Sequence, residues 1–219
     1  MNKNLMEVVC ILDRSGSMSD LTNDTIGGFN DYIKSLKKLD EDVKLSLVLF
    51  DDKYDLVYDG VAIEKVKKLD DKTYFARGST ALLDAVGKAI NTVGERLAKT
   101  AEDERPGKVI FFVTTDGQEN ASVEFAGNKI KEMVEHQKGK YNWDFIFAGA
   151  NIDSFATGAS VGFSHNFTAN YVATPKGTSD LFATAALYTT NLCRSVSSGV
   201  AYTEELQDVY NKVSNESKA

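Results

Sequence analysis

Apolar residues fall along this chain in two rhythms. Residues 8–12 (Val8-Val9-Cys10-Ile11-Leu12) are uniformly apolar and run straight into Asp13, and residues 108–115 make a second such run ending at Asp116. A half-buried strand would alternate, so unbroken runs of this kind predict strands buried on both faces. Residues 43–50 and 54–58 predict two more strands, with Asp51-Asp52-Lys53 as a hairpin turn between them. So short a link implies an antiparallel edge on an otherwise parallel sheet. Residues 143–148 and 163–169 complete the strands. Between them the spacing changes to that of helices. Ile26, Phe29, Ile33 and Leu36 share one face, and Leu82, Val86, Ile90, Val93 and Leu97 hold one side of a helix over 81–98. Helices follow over 123–137 (Phe125, Ile130, Met133 and Val134 inward), 152–161 and 178–196 (Leu181, Ala185, Tyr188 and Leu192). Strand and helix in alternation predict a doubly wound α/β fold: a mostly parallel sheet, one antiparallel edge strand, helices on both faces.

Local signals refine this outline. Thr22, Asn23 or Asp24 could cap the first helix. Gly27-Gly28 in its early turns costs about 1 kcal/mol per glycine relative to Ala, which predicts close packing of that end against the sheet or the Asp13 loop. Residues 64–72 are lysine-rich with Val66 and Leu69 as apolar anchors, and 100–106 is a charged loop. The pattern breaks at 197–199, so the domain is expected over 1–198 with a tail over 199–219. In that tail Leu206, Val209, Tyr210 and Val213 could form one weak amphipathic helix, and 215–219 is expected to fray.

The chain has 219 residues, 42% hydrophobic and 26% charged, with a net charge of −7. That is ample for a full core. A pI near 5.0 argues against a nucleic-acid surface, whose footprint is basic. The two cysteines, Cys10 and Cys193, have neither zinc nor redox spacing and read as buried thiols. With no secretory pattern at the start and no apolar run of membrane length, a cytoplasmic protein is expected. The sequons at Asn120 and Asn166 are then fortuitous. His136 and His165 have no ligand pattern around them and read as structural.

Candidate chemistry gathers at strand ends. Asp13, Ser15 and Ser17 put three oxygen donors on one short loop containing Gly16. Thr80 follows Arg77-Gly78-Ser79, and Asp116 ends the second buried run. In an open α/β sheet ligands bind at the carboxyl ends of the strands, and oxygens of this type hold hard divalent cations. Asn151, Asp153, Gln118, Glu119 and Asn120 could add to the same rim. Arg14 and Arg77 flank it and read as solvated. With its Asp-x-Ser-x-Ser loop, later Thr and later Asp, the chain resembles the von Willebrand factor type A (vWA) family, in element order over about residues 5–197. The five residues correspond to that family's metal-ion-dependent adhesion site (MIDAS).

The resemblance implies a metal site of Asp13, Ser15, Ser17, Thr80 and Asp116 holding Mg²⁺ or Mn²⁺. In the family the Thr coordinates directly or through water, and the two Asp act mostly through water. Few direct carboxylate bonds leave the ion electrophilic, open to a Glu or Asp carboxylate of a partner protein. The expected function is therefore a metal-dependent protein-binding module, not an enzyme, with no nucleic-acid or membrane partner and with self-association open. The alternative is a phosphatase-like, metal-dependent hydrolase using Asp13 as nucleophile. Such enzymes want a second Asp two residues on, where this chain has Ser15. Neither a phosphate-binding glycine loop nor a Gly-x-Ser-x-Gly elbow occurs.

Overall fold

The structure, a computed structural model, describes residues 1–199 and 202–216, apart from the Ser197 side chain. Its elements are β1 (Asn2–Asp13), α1 (Thr22–Leu36), β2 (Asp42–Phe50), β3 (Tyr54–Ala62), α2 (Leu82–Lys99), β4 (Pro106–Thr115), α3 (Gly127–Tyr141), β5 (Asp144–Gly149), α4 (Ser154–Ser160), β6 (Thr168–Asn170), α5 (Pro175–Ser198) and α6 (Leu206–Glu216). The six strands lie in the order β3-β2-β1-β4-β5-β6. Every neighbouring pair is parallel except β2–β3. The doubly wound α/β sheet with one antiparallel edge is thus as the periodicity predicts.

β1 explains the layering. Its side chains alternate between two cores: Met6, Val8, Cys10 and Leu12 pack with α1, α5 and α6, while Val9 and Ile11 pack with α2 and α3. Both faces are covered, which is why the run has no polar alternation. Each fully buried Val, Leu or Ile contributes about 1.5–3 kcal/mol relative to exposure. The winding also positions the functional end. From β1 the chain goes outward to β2 and β3, then returns to β4 on the other side of β1. The β1/β4 boundary is therefore the switch point, and a crevice opens there at the carboxyl ends of the strands. Leu12 pairs with Thr114, so Asp13 and the residues after Thr115 emerge side by side.

Several local expectations are corrected. None of Thr22, Asn23 and Asp24 caps α1, because a 3-10 turn over Gly16–Leu21 runs directly into it. Gly28 is tight, but against α5: a Cβ there would lie 2.3 Å from the Phe182 ring, whereas one at Gly27 would meet nothing within 4 Å. β3 runs on to Ala62, since Gly60 takes φ +62° and gives its N–H to Ser46 Oγ (2.9 Å). Most of 163–169 is not strand. His165–Phe167 forms a 3-10 turn and only Thr168–Asn170 joins the sheet.

α3 begins at Gly127, four residues later than periodicity suggests. The segment before it is committed elsewhere. The Asp84 carboxylate on α2 accepts the N–H groups of Val123 (3.0 Å), Glu124 (3.0 Å) and Phe125 (2.9 Å). In return, the 119–122 loop caps α2: Glu119 accepts from Leu83 N–H (2.9 Å) and Ser122 Oγ from Asp84 N–H (3.1 Å).

Beyond Gly199, α6 buries Leu206, Val209 and Tyr210 against the core that also holds α5. Gln207 accepts from Asn170 N–H on β6 (2.7 Å), so the helix covers the sheet's far edge. Of the 215–219 stretch expected to fray, Asn215 and Glu216 close α6, and 217–219 lie outside the described residues.

Candidate functional site

At the β1/β4 crevice the chain leaves the sheet on two neighbouring strands, each ending in an acidic turn. Asp13, last residue of β1, is wholly buried. Its Oδ1 accepts from Ser15 N–H (2.6 Å), closing a tight turn, and its Oδ2 from the Thr115 hydroxyl (2.6 Å). Its carbonyl accepts from Tyr74 OH (2.6 Å). Burial pushes the Asp13 carboxyl up to about 6. The Thr115 and Ser15 hydrogen bonds pull the other way, and the neighbouring Asp116 charge adds to the rise. Asp116 is also buried, which raises it too, against the opposing Ser17 hydrogen bond.

The hydroxyls lie among these carboxylates. Ser17 Oγ donates to Asp116 Oδ1 at 2.5 Å and lies 3.1 Å from Ser15 Oγ. A Cβ on Gly117 would sit 3.4 Å from Ser17 Oγ and 3.6 Å from Thr80 Oγ1, so those two hydroxyls converge on the glycine that follows Asp116. Thr80 is buried and held from both sides: its N–H donates to Asn120 Oδ1 (2.9 Å), and its carbonyl accepts from Asn120 N–H (3.0 Å) and Ala121 N–H (3.2 Å). Asp13, Ser15, Ser17, Thr80 and Asp116 therefore gather from three loops into one oxygen-rich cluster.

Other rim candidates divide. Asn151, at φ +57°, donates to the Asp116 carbonyl (3.4 Å) and borders the cluster. Asp153 instead caps α4 through Ala156 N–H (3.0 Å). Glu119 and Asn120 tie the loop to α2 and to Thr80 as described. The His165 ring stacks on Phe155 and His136 contacts Tyr141. Arg14 is not solvated: it is 2% exposed and bonded to Asp51, while Arg77 is partly exposed on the same Asp51. Sequence reasoning missed Thr115, Tyr74 and Asp51. A hydroxyl directly before Asp116 was a readable signal for Thr115. Tyr74 and Asp51 reach the site from loops without periodicity, and nothing local marks them.

Three neutral hydroxyls and two carboxylates suit a hard divalent ion. Two carboxylates drawn together out of water have their ionised forms disfavoured by burial and by each other, and a dication would relieve both penalties. Among the described residues no group of three or more His, Cys, Asp or Glu could hold a metal, so an ion in this crevice would depend on the hydroxyls.

No protein-family model matches the sequence, and no curated protein matches it. The fold, however, is shared with solved vWA structures. Proximal thread matrix protein 1 (PTMP1) from the mussel byssus aligns at TM-score 0.58 and 13% identity, over 86% of this chain and 46% of its own. Another structure of that protein has a zinc-occupied MIDAS motif. Manganese-loaded Plasmodium vivax TRAP aligns at TM-score 0.56 and 18% identity, over 78% of this chain and 69% of its own. The vWF domain of the type V pili tip protein Mfa5 from Porphyromonas gingivalis aligns at 0.57 and 11%, over 91% and 97%. This chain thus has the vWA fold. It spans less than half the length of PTMP1. Among the described residues no helix is long and apolar enough to cross a membrane.

Proposed function

We propose that this chain is a divalent-metal-dependent protein-binding module. Asp13, Ser15, Ser17, Thr80 and Asp116 would hold Mg²⁺ or Mn²⁺, and the partner would be a protein offering a Glu or Asp carboxylate. The observation that carries this reading is the convergence of three hydroxyls and two buried carboxylates at the switch point of the sheet. When bound, the ion supplies Lewis-acid attraction for an incoming carboxylate. The chain's own residues do the rest. Thr115 and Ser15 N–H hold the Asp13 carboxylate from both oxygens, and Asn120 holds Thr80 in place. The vWA neighbours with manganese and zinc lend support for a divalent metal. The proposal is of a non-enzymatic module; Ser15 stands where a phosphatase would need its second Asp. Cytoplasmic location belongs to the same proposal and is supported by two buried cysteines, Cys10 and Cys193, that form no disulfide.

The test is a pull-down with wild type and Ser15→Ala/Ser17→Ala, each with Mg²⁺ and with EDTA. A protein retained only by wild type with Mg²⁺ supports the reading and identifies the partner. The same proteins in all four lanes overturn it. Metal alone gives a parallel readout: at about 100 times its Kd, an ion that binds only the folded chain stabilises it by about 2.7 kcal/mol, and the double variant loses that increment.

A further inference from the structure

Asp51 lies in the turn between β2 and β3 and is wholly buried. Its Oδ2 accepts from both Arg14 Nε (2.9 Å) and Arg77 Nε (2.6 Å). Oδ1 accepts from Lys53 N–H (2.7 Å), and the Asp51 carbonyl from Ala81 N–H (3.0 Å). Arg14 stands between Asp13 and Ser15, and Ala81 directly follows Thr80. One carboxylate residue therefore joins the loop carrying the serines to the loop carrying the threonine. Backbone bonds run alongside: Arg77 N–H to the Arg14 carbonyl (2.8 Å), Gly16 N–H to the Gly78 carbonyl (3.1 Å), and Arg14 N–H to the Phe50 carbonyl (2.8 Å).

A hairpin turn needs no buried carboxylate, and a buried ion pair is weak evidence of a stabilising role. Here two guanidinium groups meet on one oxygen and also reach Asp55, with Phe75 beneath them at 5.6 and 5.1 Å. Two arginines and two aspartates sum to zero. Asp52 also acts on Arg77, so with the acids ionised the cluster adds no surplus positive charge beside a cation. Without Asp51 the two Nε groups would lose their shared acceptor, and their charges would be less fully offset at the edge of the site.

We infer that Asp51 is a positioning residue of the proposed metal site. Through Arg14 and Arg77 it sets the spacing between the Ser15 and Ser17 hydroxyls and that of Thr80, and it keeps two guanidinium charges from opposing the ion. Asp51 supplies no ligand itself. The inference rests on the metal-site reading above.

The probe is Mn²⁺ alone, titrated into the full chain and followed by the electron paramagnetic resonance of the free aqua ion. Each variant is measured well below its own melting midpoint and with a wild-type circular dichroism spectrum. Asp51→Asn is expected to weaken Mn²⁺ binding by about tenfold or more, the usual scale for residues that orient metal ligands, and Arg77→Lys, which keeps the charge but loses the Nε bond to Asp51, is expected to weaken it as well. Arg77 is partly exposed, so its variant decides the matter should Asp51→Asn fail to fold. Unchanged Mn²⁺ affinity in folded Arg77→Lys, while Ser15→Ala/Ser17→Ala loses binding, overturns this inference and leaves the proposed function standing. Mn²⁺ binding that survives the serine substitutions, or is missing from wild type, overturns the proposed function first.

Discussion

Replacing Asp84 tests whether the loop after Asp116 is held by the reciprocal capping described above. The side chain is 7% exposed and accepts three backbone N–H groups at 2.9–3.0 Å. A hydrogen bond to a charged group contributes about 1.5–3 kcal/mol. The three are not additive, because Val123 is 89% exposed and its N–H can turn to water once released. Phe125 cannot move so freely: its ring lies against Gly87, where a Cβ would approach it to 2.7 Å. Counting two bonds in full and adding the carboxylate's favourable place in the first turn of α2, Asp84→Ala is expected to cost about 4 kcal/mol. Asp84→Asn can keep one oxygen toward Glu124 and Phe125 and loses the charge and the Val123 bond, for a cost of about 1.5 kcal/mol. Urea unfolding followed by circular dichroism measures both. A chain of this size shifts its melting midpoint by about 2–4 °C per kcal/mol, so the Ala variant should also melt about 8–16 °C lower. An Ala variant within about 0.5 kcal/mol of wild type, the range of ordinary surface changes, would refute the capping argument. So would an Asn variant as unstable as Ala.

Three further outcomes follow from the same structure. Gly27→Ala, with open space around its Cβ, should stabilise by about 0.5–1 kcal/mol, whereas Gly28→Ala, driven into Phe182, should destabilise by about 1–3 kcal/mol; thermal melts of the pair must move in opposite directions. Leu206→Ala, at a 1% exposed position on α6, should cost about 2–5 kcal/mol; a neutral result would show that the helix contributes nothing to the fold. Burial alone would raise the Asp51 carboxyl, but the Arg77 hydrogen bond, Lys53 N–H and both arginine charges outweigh it and hold it below the usual carboxylate range. The unfolded chain therefore binds that proton more readily. Its stabilising contribution is full above about pH 3.9 and is lost as pH falls through the lower folded value. Acid titration of stability should accordingly be less steep below that pH in Asp51→Asn than in wild type.

The one-dimensional pattern determined the architecture because burial is periodic. Uninterrupted runs such as Val8 to Leu12 can be covered only by helices on both faces of a sheet, and the short 51–53 link can join only antiparallel neighbours. The same pattern brought forward Asp13, Ser15, Ser17 and Asp116, since a hydroxyl or carboxylate at the mouth of a buried strand stands out against its apolar context; Thr80, which precedes a helix, joined them through the resemblance to the vWA family. Only the tertiary structure decided the contacts between residues distant in sequence. The N-terminus of α2 has no cap of its own and takes one from Glu119 and Ser122, so α3 starts late. Gly28 yields to a phenylalanine on α5, which no local window contains. Arg14 looked solvated because a charged side chain in a polar loop usually is, yet Asp51, brought beside it by the pairing of β1 with β2, makes its burial tolerable. An ion pair of that kind depends on which strand lies next to which, and that information exists only once the sheet has formed.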